Sequence, residues 1–344
     1  MFKDIFSFRI FGNNLGTDLG TTNTLIYAQN KGIVLNMPSV LAVSQGDGKI
    51  VGIGKEAKEM VGKTPQNILA IKPLQDGVIA DFDITEKMIK YFISQVQPHR
   101  VLIGPRLVVG IPSCATKVEK RAVMDMGMAA GARRVHLVAE SVAAVIGIEL
   151  PISEPSGSMI VDIGGGTSEA TIASLNGIVV SDSIRVAGDE MTEAIIHYLK
   201  EKHALSIGEQ MAEKVKIDIG CVYPPPEKEK MKIEGRDLST GFPIEMEVNS
   251  EEVGEALSPV ISVICKMIEG VLEKCPPDLA GDVRRKGIYL TGGGAYIKGL
   301  DKYLSQRVDL QVKVASNPLL SVALGVGKLL DDADLLSLVE VTPE

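Results

Sequence analysis

Three glycine turns and a few charged residues in this chain have the types and spacing for phosphate chemistry. The first is Ile160-Val-Asp-Ile-Gly-Gly-Gly-Thr-Ser-Glu169. A mostly apolar run ends in Asp162, and Gly164, Gly165 and Gly166 follow. A turn without Cβ atoms can take positive φ and bring backbone N–H groups close to an anion. Thr167 adds a hydroxyl. The arrangement fits a phosphate cradle with a carboxylate beside it for a metal ion; its plain alternative is a Gly-rich hairpin. A second turn, Asp18-Leu-Gly20-Thr21-Thr22-Asn23, has the same acid-to-glycine start. The third, Gly292-Gly293-Gly294, follows an apolar run and would let the backbone approach a flat base or sugar, with Tyr296 stacking or packing on it; a helix is expected to open at about Ala295. Glu140, at a strand end, could orient an attacking water, because phosphoryl transfer needs positioning more than covalent chemistry. Its plain alternative is an acid at a helix N-terminus, favoured by the dipole. Glu213 and Lys216 lie one helical turn apart and by spacing alone form a solvated pair. The sequence has no GxxxxGK followed by Ser or Thr, so it is not a P-loop protein, and no GxGxxG stands where a Rossmann fold needs one.

The elements that must carry these residues occur twice. After Asp18 and after Asp162 come a turn, a strand-like run (24–28; 169–174), a second turn signal (Asn30-Lys31-Gly32; Asn176-Gly177) and another apolar run. Asp18 to Gly32 spans 14 positions and Asp162 to Gly177 spans 15, so the unit of strand, turn, strand, turn, strand is an internal duplication. Between and after the copies, apolar periodicity predicts helices over 84–97, 117–130 (opened by the capping-box pair Thr116 and Glu119), 141–150, 190–203, 207–220, 250–274 and 319–330. Continuous apolar runs predict buried strands at 107–111 and 135–138. Residues 227–249 read as a charged hairpin after Pro224-Pro-Pro226, and the acidic tail 331–344 as loosely ordered. Strands alternating with helices imply an α/β layer architecture.

With 344 residues, 45% hydrophobic and 23% charged, the chain can bury a sizeable core in two ordinary domains. Trp is absent and aromatics are 4%, so that core is aliphatic. A net charge of −8 argues against nucleic acid as a partner. Cys114, Cys221, Cys265 and Cys275 are scattered and His99, His136, His197 and His203 form no HExxH, which fits a reducing cytosol and no zinc site. No membrane span or cleavable leader is expected.

Residues 1–12 hold four of the seven Phe residues. On a helix Phe2, Ile5, Phe6 and Arg9 share one side, with Phe8, Ile10 and Phe11 completing the apolar set. That fits a short interfacial segment entering a bilayer surface, a weak anchor unless multiplied by self-assembly. The alternative is a strand or tail packed on the protein's own surface.

Asp18-Leu-Gly-Thr-Thr-Asn23, Asp162-Ile-Gly-Gly-Gly-Thr167 and Leu290-Thr-Gly-Gly-Gly294 resemble the two phosphate motifs and the adenosine motif of the actin/Hsp70/sugar-kinase ATPase superfamily. Gly62-Lys-Thr-Pro65, Asp76-Gly-Val-Ile-Ala-Asp81, Glu154-Pro-Ser-Gly157, Ala187-Gly-Asp-Glu-Met191, Gly208 to Ile217 and Asp237-Leu-Ser-Thr-Gly resemble, within it, the bacterial actins of the MreB type. The likeness covers about 15–330. It implies an actin-like ATPase fold: duplicated ribonuclease H-like lobes around a nucleotide cleft, lobe I 13–154 plus 324–344 (subdomain about 43–75) and lobe II 155–323 (subdomain about 191–252). It implies ATP, with GTP the alternative, and Mg²⁺ held through water by Asp18 and Asp162. Gly20, Thr21, Thr22 and Asn23 would hold one side of the phosphates and Gly164, Gly165, Gly166 and Thr167 the other. Glu140 would position the hydrolytic water, with Thr167 near the γ-phosphate. Gly188, Glu213, Lys216, Gly293 and Gly294 would line ribose and adenine, with Gly292 in the same turn. The implied function is a slow ATPase that is primarily structural: a homopolymer filament, peripheral on the inner face of the cell membrane, working with wall-synthesis membrane proteins to organise peptidoglycan synthesis and cell shape. One departure stands out. The family usually has Glu-Glu-Pro where this chain has Ala139-Glu140-Ser141, which bears on hydrolysis rate more than on binding.

Two other classes share the fold. An Hsp70-type chaperone would need a substrate-binding domain beyond the acidic tail. A small-molecule kinase would need a carboxylate base for an acceptor hydroxyl, for which the sequence carries no signal.

Overall fold

The computed structural model describes residues 9–97, 101–223 and 228–342. The chain forms two compact units: 1–59 with 65–150 and 320–344, and 60–64 with 151–319.

The first unit is built on a five-stranded sheet in the order Arg134–Ala139, Arg106–Ile111, Leu15–Leu19, Asn23–Ala28, Gly32–Pro38. The first three are parallel neighbours and the last two join as an antiparallel meander. Leu15, Ile26, Leu107, Val109 and Leu137 meet Met88, Ile89 and Phe92 in its core. Those last three come from the helix Phe82–Val96, whose cap Asp81 accepts from the Ile84 N–H at 3.0 Å. The helix Lys117–Ala129 has the expected capping box between Thr116 and Glu119. A three-stranded sheet of Ile50–Ile53, Leu41–Ser44 and Ile68–Ile71 is added to this unit.

In the second unit the sheet order is Gly177–Ile184, Ser168–Ser174, Ser158–Ile163, Ile288–Thr291, Val312–Val314. The plan is the same: a central acid-ending strand, an antiparallel meander on one side and two parallel strands on the other. Each meander carries one irregularity in its outer pair. The duplication read from the turns is therefore a duplication of whole sheets. The long helix Ser250–Glu273, boxed by Asn249 and Glu252, buries Leu257, Ile261, Ile264 and Ile268 in this core. The charged hairpin is present as Lys230–Asp237 with Pro243–Asn249, laced by Lys230–Glu247 at 2.8 Å and Lys232–Glu245 at 2.7 Å. None of the described helices is long and apolar enough to cross a membrane.

Three expectations are corrected. Arg9–Phe11 is a strand, paired in parallel with Val101–Ile103, so Ile10 and Phe11 are not on a helix. Their backbone finds ladder partners that a surface helix would forgo, and Ile and Phe favour strands. Phe2, Ile5, Phe6 and Phe8 lie outside the described residues, as does Pro224-Pro-Pro226. The tail is ordered over its described residues, up to 342: Ala333–Val339 is a helix capped by Asp332, burying Leu336 and Val339. Beyond it Val341 N–H donates to Leu137 O at 2.8 Å, and Glu340 Oε1 lies 2.8 Å from Nδ1 of buried His136. Apolar burial against the sheet edge outweighs the tail's charge. Third, Gly293–Tyr296 is a single 3-10 turn, and the helix begins only at Leu300. The helix Pro277–Lys286 has no counterpart in the sequence reading.

Candidate functional site

In the first unit the strand Leu15–Leu19 delivers Asp18 to the sheet end, level with Leu25 on one side and Gly110 on the other. Asp18 keeps some exposed surface but is packed deep among protein atoms, and that burial pushes its pKa up to about 7. Burial disfavours the charged form; a cation at this position would restore the carboxylate. The turn beyond is braced from behind. Ser39 Oγ donates to Gly20 O at 2.7 Å, Ser39 N–H donates to Thr22 O at 3.0 Å, and the two hydroxyls of Ser39 and Thr24 are 2.9 Å apart. Thr21 is buried and its hydroxyl accepts from Gly77 N–H at 3.1 Å, which ties the turn to the hairpin of Leu74–Gln75 and Val78–Ile79.

Glu140 is the first residue of the helix Glu140–Gly147, directly after the strand Arg134–Ala139. Its stem lies over Gly110, where a Cβ would be 3.3 Å from Glu140 Cγ. Gly110 is also the ladder partner of Asp18, so Asp18 and Glu140 stand at one end of one sheet, two strands apart. The sequence reading missed Gly110. The only signal was a lone glycine inside an apolar strand, a mark of close approach.

In the second unit the Gly164–Gly166 turn, the Gly292–Gly294 turn and Gly188 converge. Gly292 has φ +79 and its N–H donates to Pro318 O at 2.9 Å. A Cβ there would overlap Asp162 Oδ1 and the Ile163 carbonyl, so the third turn lies directly against the acid of the first. The Gly164 and Gly165 carbonyls accept from the N–H groups of Gly188 and Asp189 at 3.1 and 2.7 Å, docking the cradle on the start of the helix Gly188–His203. Glu213 and Lys216 do not form the solvated pair that their spacing implies. Lys216 is buried; its Nζ is 2.6 Å from Glu213 Oε2 and donates to Gly188 O at 2.7 Å and to Thr192 Oγ1 at 2.9 Å. Thr192 Oγ1 donates to Glu213 Oε2 at 2.7 Å. Thr192, unremarked in the sequence, joins this network because it lies one helical turn after Gly188. Tyr296 is 61% exposed, open to a partner rather than packed inside.

The residues fit a Mg²⁺-nucleotide in donor chemistry. Asp18 in the first unit and Asp162 in the second are each a hard oxygen donor of the kind Mg²⁺ takes. Gly292 is a place where any side chain would displace the Asp162 carboxylate.

The family model described as MreB/Mbl protein matches residues 12–338. The cell shape-determining protein MreB of Escherichia coli K12 is 47% identical over 331 residues, covering 95% of each chain. The cell shape-determining protein Mbl of Bacillus subtilis 168 is 44% identical over 327 residues, covering 95% of this chain and 98% of the relative. Among solved structures, MreB5 of Spiroplasma citri bound to AMPPNP has a TM-score of 0.89 at 36% identity, covering 94% of this chain and 96% of that one. A MamK double helical filament subunit matches with a TM-score of 0.79 at 24% identity, a likeness of fold. Two duplicated sheets ending in acid–glycine turns, with these neighbours, define the actin-like ATPase fold. Within that class, the chain belongs to the MreB/Mbl family.

Proposed function

We propose that this chain is a nucleotide-dependent cytoskeletal filament protein that sets cell shape by organising peptidoglycan synthesis at the inner face of the cell membrane. The observation that carries it is the pair of matched sheets, each delivering an acid, Asp18 or Asp162, to a glycine turn. Relatives at 44 to 47% identity are named as cell shape-determining proteins, and the MreB5 structure is bound to AMPPNP.

In this reading Asp18 and Asp162 would hold a hydrated Mg²⁺, which would supply charge neutralisation at the phosphates. Gly20, Thr21, Thr22 and Asn23 hold one side of the phosphates of ATP and Gly164 to Thr167 the other; GTP is the alternative ligand. Gly188, Glu213 and Lys216, with Gly292, Gly293, Gly294 and Tyr296, receive the nucleoside. Glu140 orients the attacking water and accepts its proton, and Thr167 steadies the terminal phosphate. ATP turnover is slow and regulates assembly. Asp162→Ala should weaken Mg-ATP affinity at least about tenfold in equilibrium titration, losing one charged oxygen at the metal. An unchanged affinity removes the metal role from Asp162.

Residues 1–11 bind the lipid surface, and wall-synthesis membrane proteins are the further partners. One short apolar segment anchors marginally, while many in one polymer act together. A chain lacking residues 1–11 should fail to float with anionic liposomes yet still pellet with Mg-ATP. Continued flotation assigns lipid binding elsewhere.

A further inference from the structure

The helix carrying Glu140 begins without an ordinary cap. Its N-cap residue is Ala139, which makes no side-chain hydrogen bond to the first turn. Ser, Thr, Asp or Asn at that position would hold the exposed amides. The rest of the helix is held firmly. A Cβ at Gly147 would overlap the Ser321 carbonyl, and one at Gly325 the Ala143 carbonyl, so this helix and Ser321–Asp331 touch backbone to backbone. At the C-terminal end Lys328 Nζ donates to Ile146 O at 3.1 Å and Gly147 O at 3.2 Å, and pairs with Glu149 at 2.9 Å. The first turn, where Glu140 lies, is the end that Ala139 leaves without a side-chain cap.

A hydroxyl pair ties that turn to the neighbouring loop. Ser141, 1% exposed, places Oγ 3.1 Å from Ser113 Oγ. Ser113 lies in the turn between the strand Arg106–Ile111 and the helix Lys117–Ala129. Ala115 N–H donates to Pro112 O at 3.0 Å inside that turn, and the Thr116–Glu119 capping box anchors its far end. Serine hydroxyls in a first turn ordinarily bond their own backbone; this one reaches across 28 positions instead. We propose that the Ser113–Ser141 hydroxyl pair is a positioning device for Glu140. It fixes the first turn that Ala139 leaves uncapped, and so sets where the Glu140 carboxylate holds the attacking water. The inference rests on the reading of Glu140 as the water-orienting acid.

The test is steady-state phosphate release by the full chain with Mg-ATP. Ser141→Ala and Ser113→Ala should each lower kcat about tenfold with KM for ATP within about twofold, since misplaced groups lose rate rather than binding. The double variant should be no slower than either single, because the hydroxyls act as a unit. Ser113→Thr, which keeps the hydroxyl, should retain most of the rate. Adding Ser141→Ala to Glu140→Gln should change nothing further, which a merely structural loss would not reproduce. Unchanged kcat in the alanine variants, multiplying losses in the double variant, or a further loss in the Glu140→Gln background each overturns the proposal. If Ser141→Ala does not fold, Ser113→Ala, at the more exposed partner, carries the test. Glu140→Gln separates the two levels. If it leaves kcat intact, the reading of Glu140 fails and the positioning role with it; if it abolishes turnover while the serine variants are silent, only the positioning role fails.

Discussion

Glu140→Gln should lower phosphate release by roughly 100-fold or more while leaving ATP affinity within about threefold. The substitution keeps the side chain's length and its stem over Gly110, and removes only the charge that, in the proposed function, would accept the water's proton. Asp18, two strands away at the same sheet end, is untouched, as are both glycine turns. Binding and hydrolysis therefore separate in this variant, and polymer formed in ATP should persist instead of turning over. The measurement is a coupled phosphate assay beside an equilibrium titration. Equal losses in affinity and rate would place Glu140 in binding rather than in catalysis.

Gly325→Ala should be the most damaging small substitution in the first unit. The new methyl would occupy the space of the Ala143 carbonyl oxygen, and its carbon and Cα lie beside it. The two helices would have to part along their whole contact, which also carries Gly147 and the Lys328 cap. Helix propensity favours alanine by about 1 kcal/mol, but overpacking against backbone costs about 3 kcal/mol or more. At about 2–4 °C per kcal/mol for a unit of this size, Tm should fall by roughly 5–10 °C. The matched control is Gly281→Ala in the helix Pro277–Lys286, where a Cβ meets no other atom within 4 Å. There alanine should be neutral or slightly stabilising. A Gly325→Ala protein as stable as the Gly281→Ala control would contradict the close packing.

What was legible in the sequence was whatever the chain encodes locally. Acid–glycine junctions at Asp18 and Asp162, each followed by strand and turn, marked a duplication, and the sheets repeat it strand for strand. Capping signals placed the helix after Thr116 within a residue. What escaped depends on partners distant in the chain. Lys216 looks solvated until its ammonium is seen on the Gly188 carbonyl 28 positions earlier. Gly110 has no meaning until Glu140 lies on it. The acidic tail looked loose because periodicity says nothing about an open sheet edge, which Glu340 and Val341 occupy. The strand Arg9–Phe11 likewise needed a pairing segment that local pattern could not reveal.

Nucleotide-driven assembly is the centre of this account, and sedimentation of the full chain measures it directly. With Mg-ATP and an anionic lipid surface the protein should pellet above a critical concentration, and it should remain in the supernatant without nucleotide. No sedimentable polymer under any nucleotide, lipid or salt condition would contradict the account.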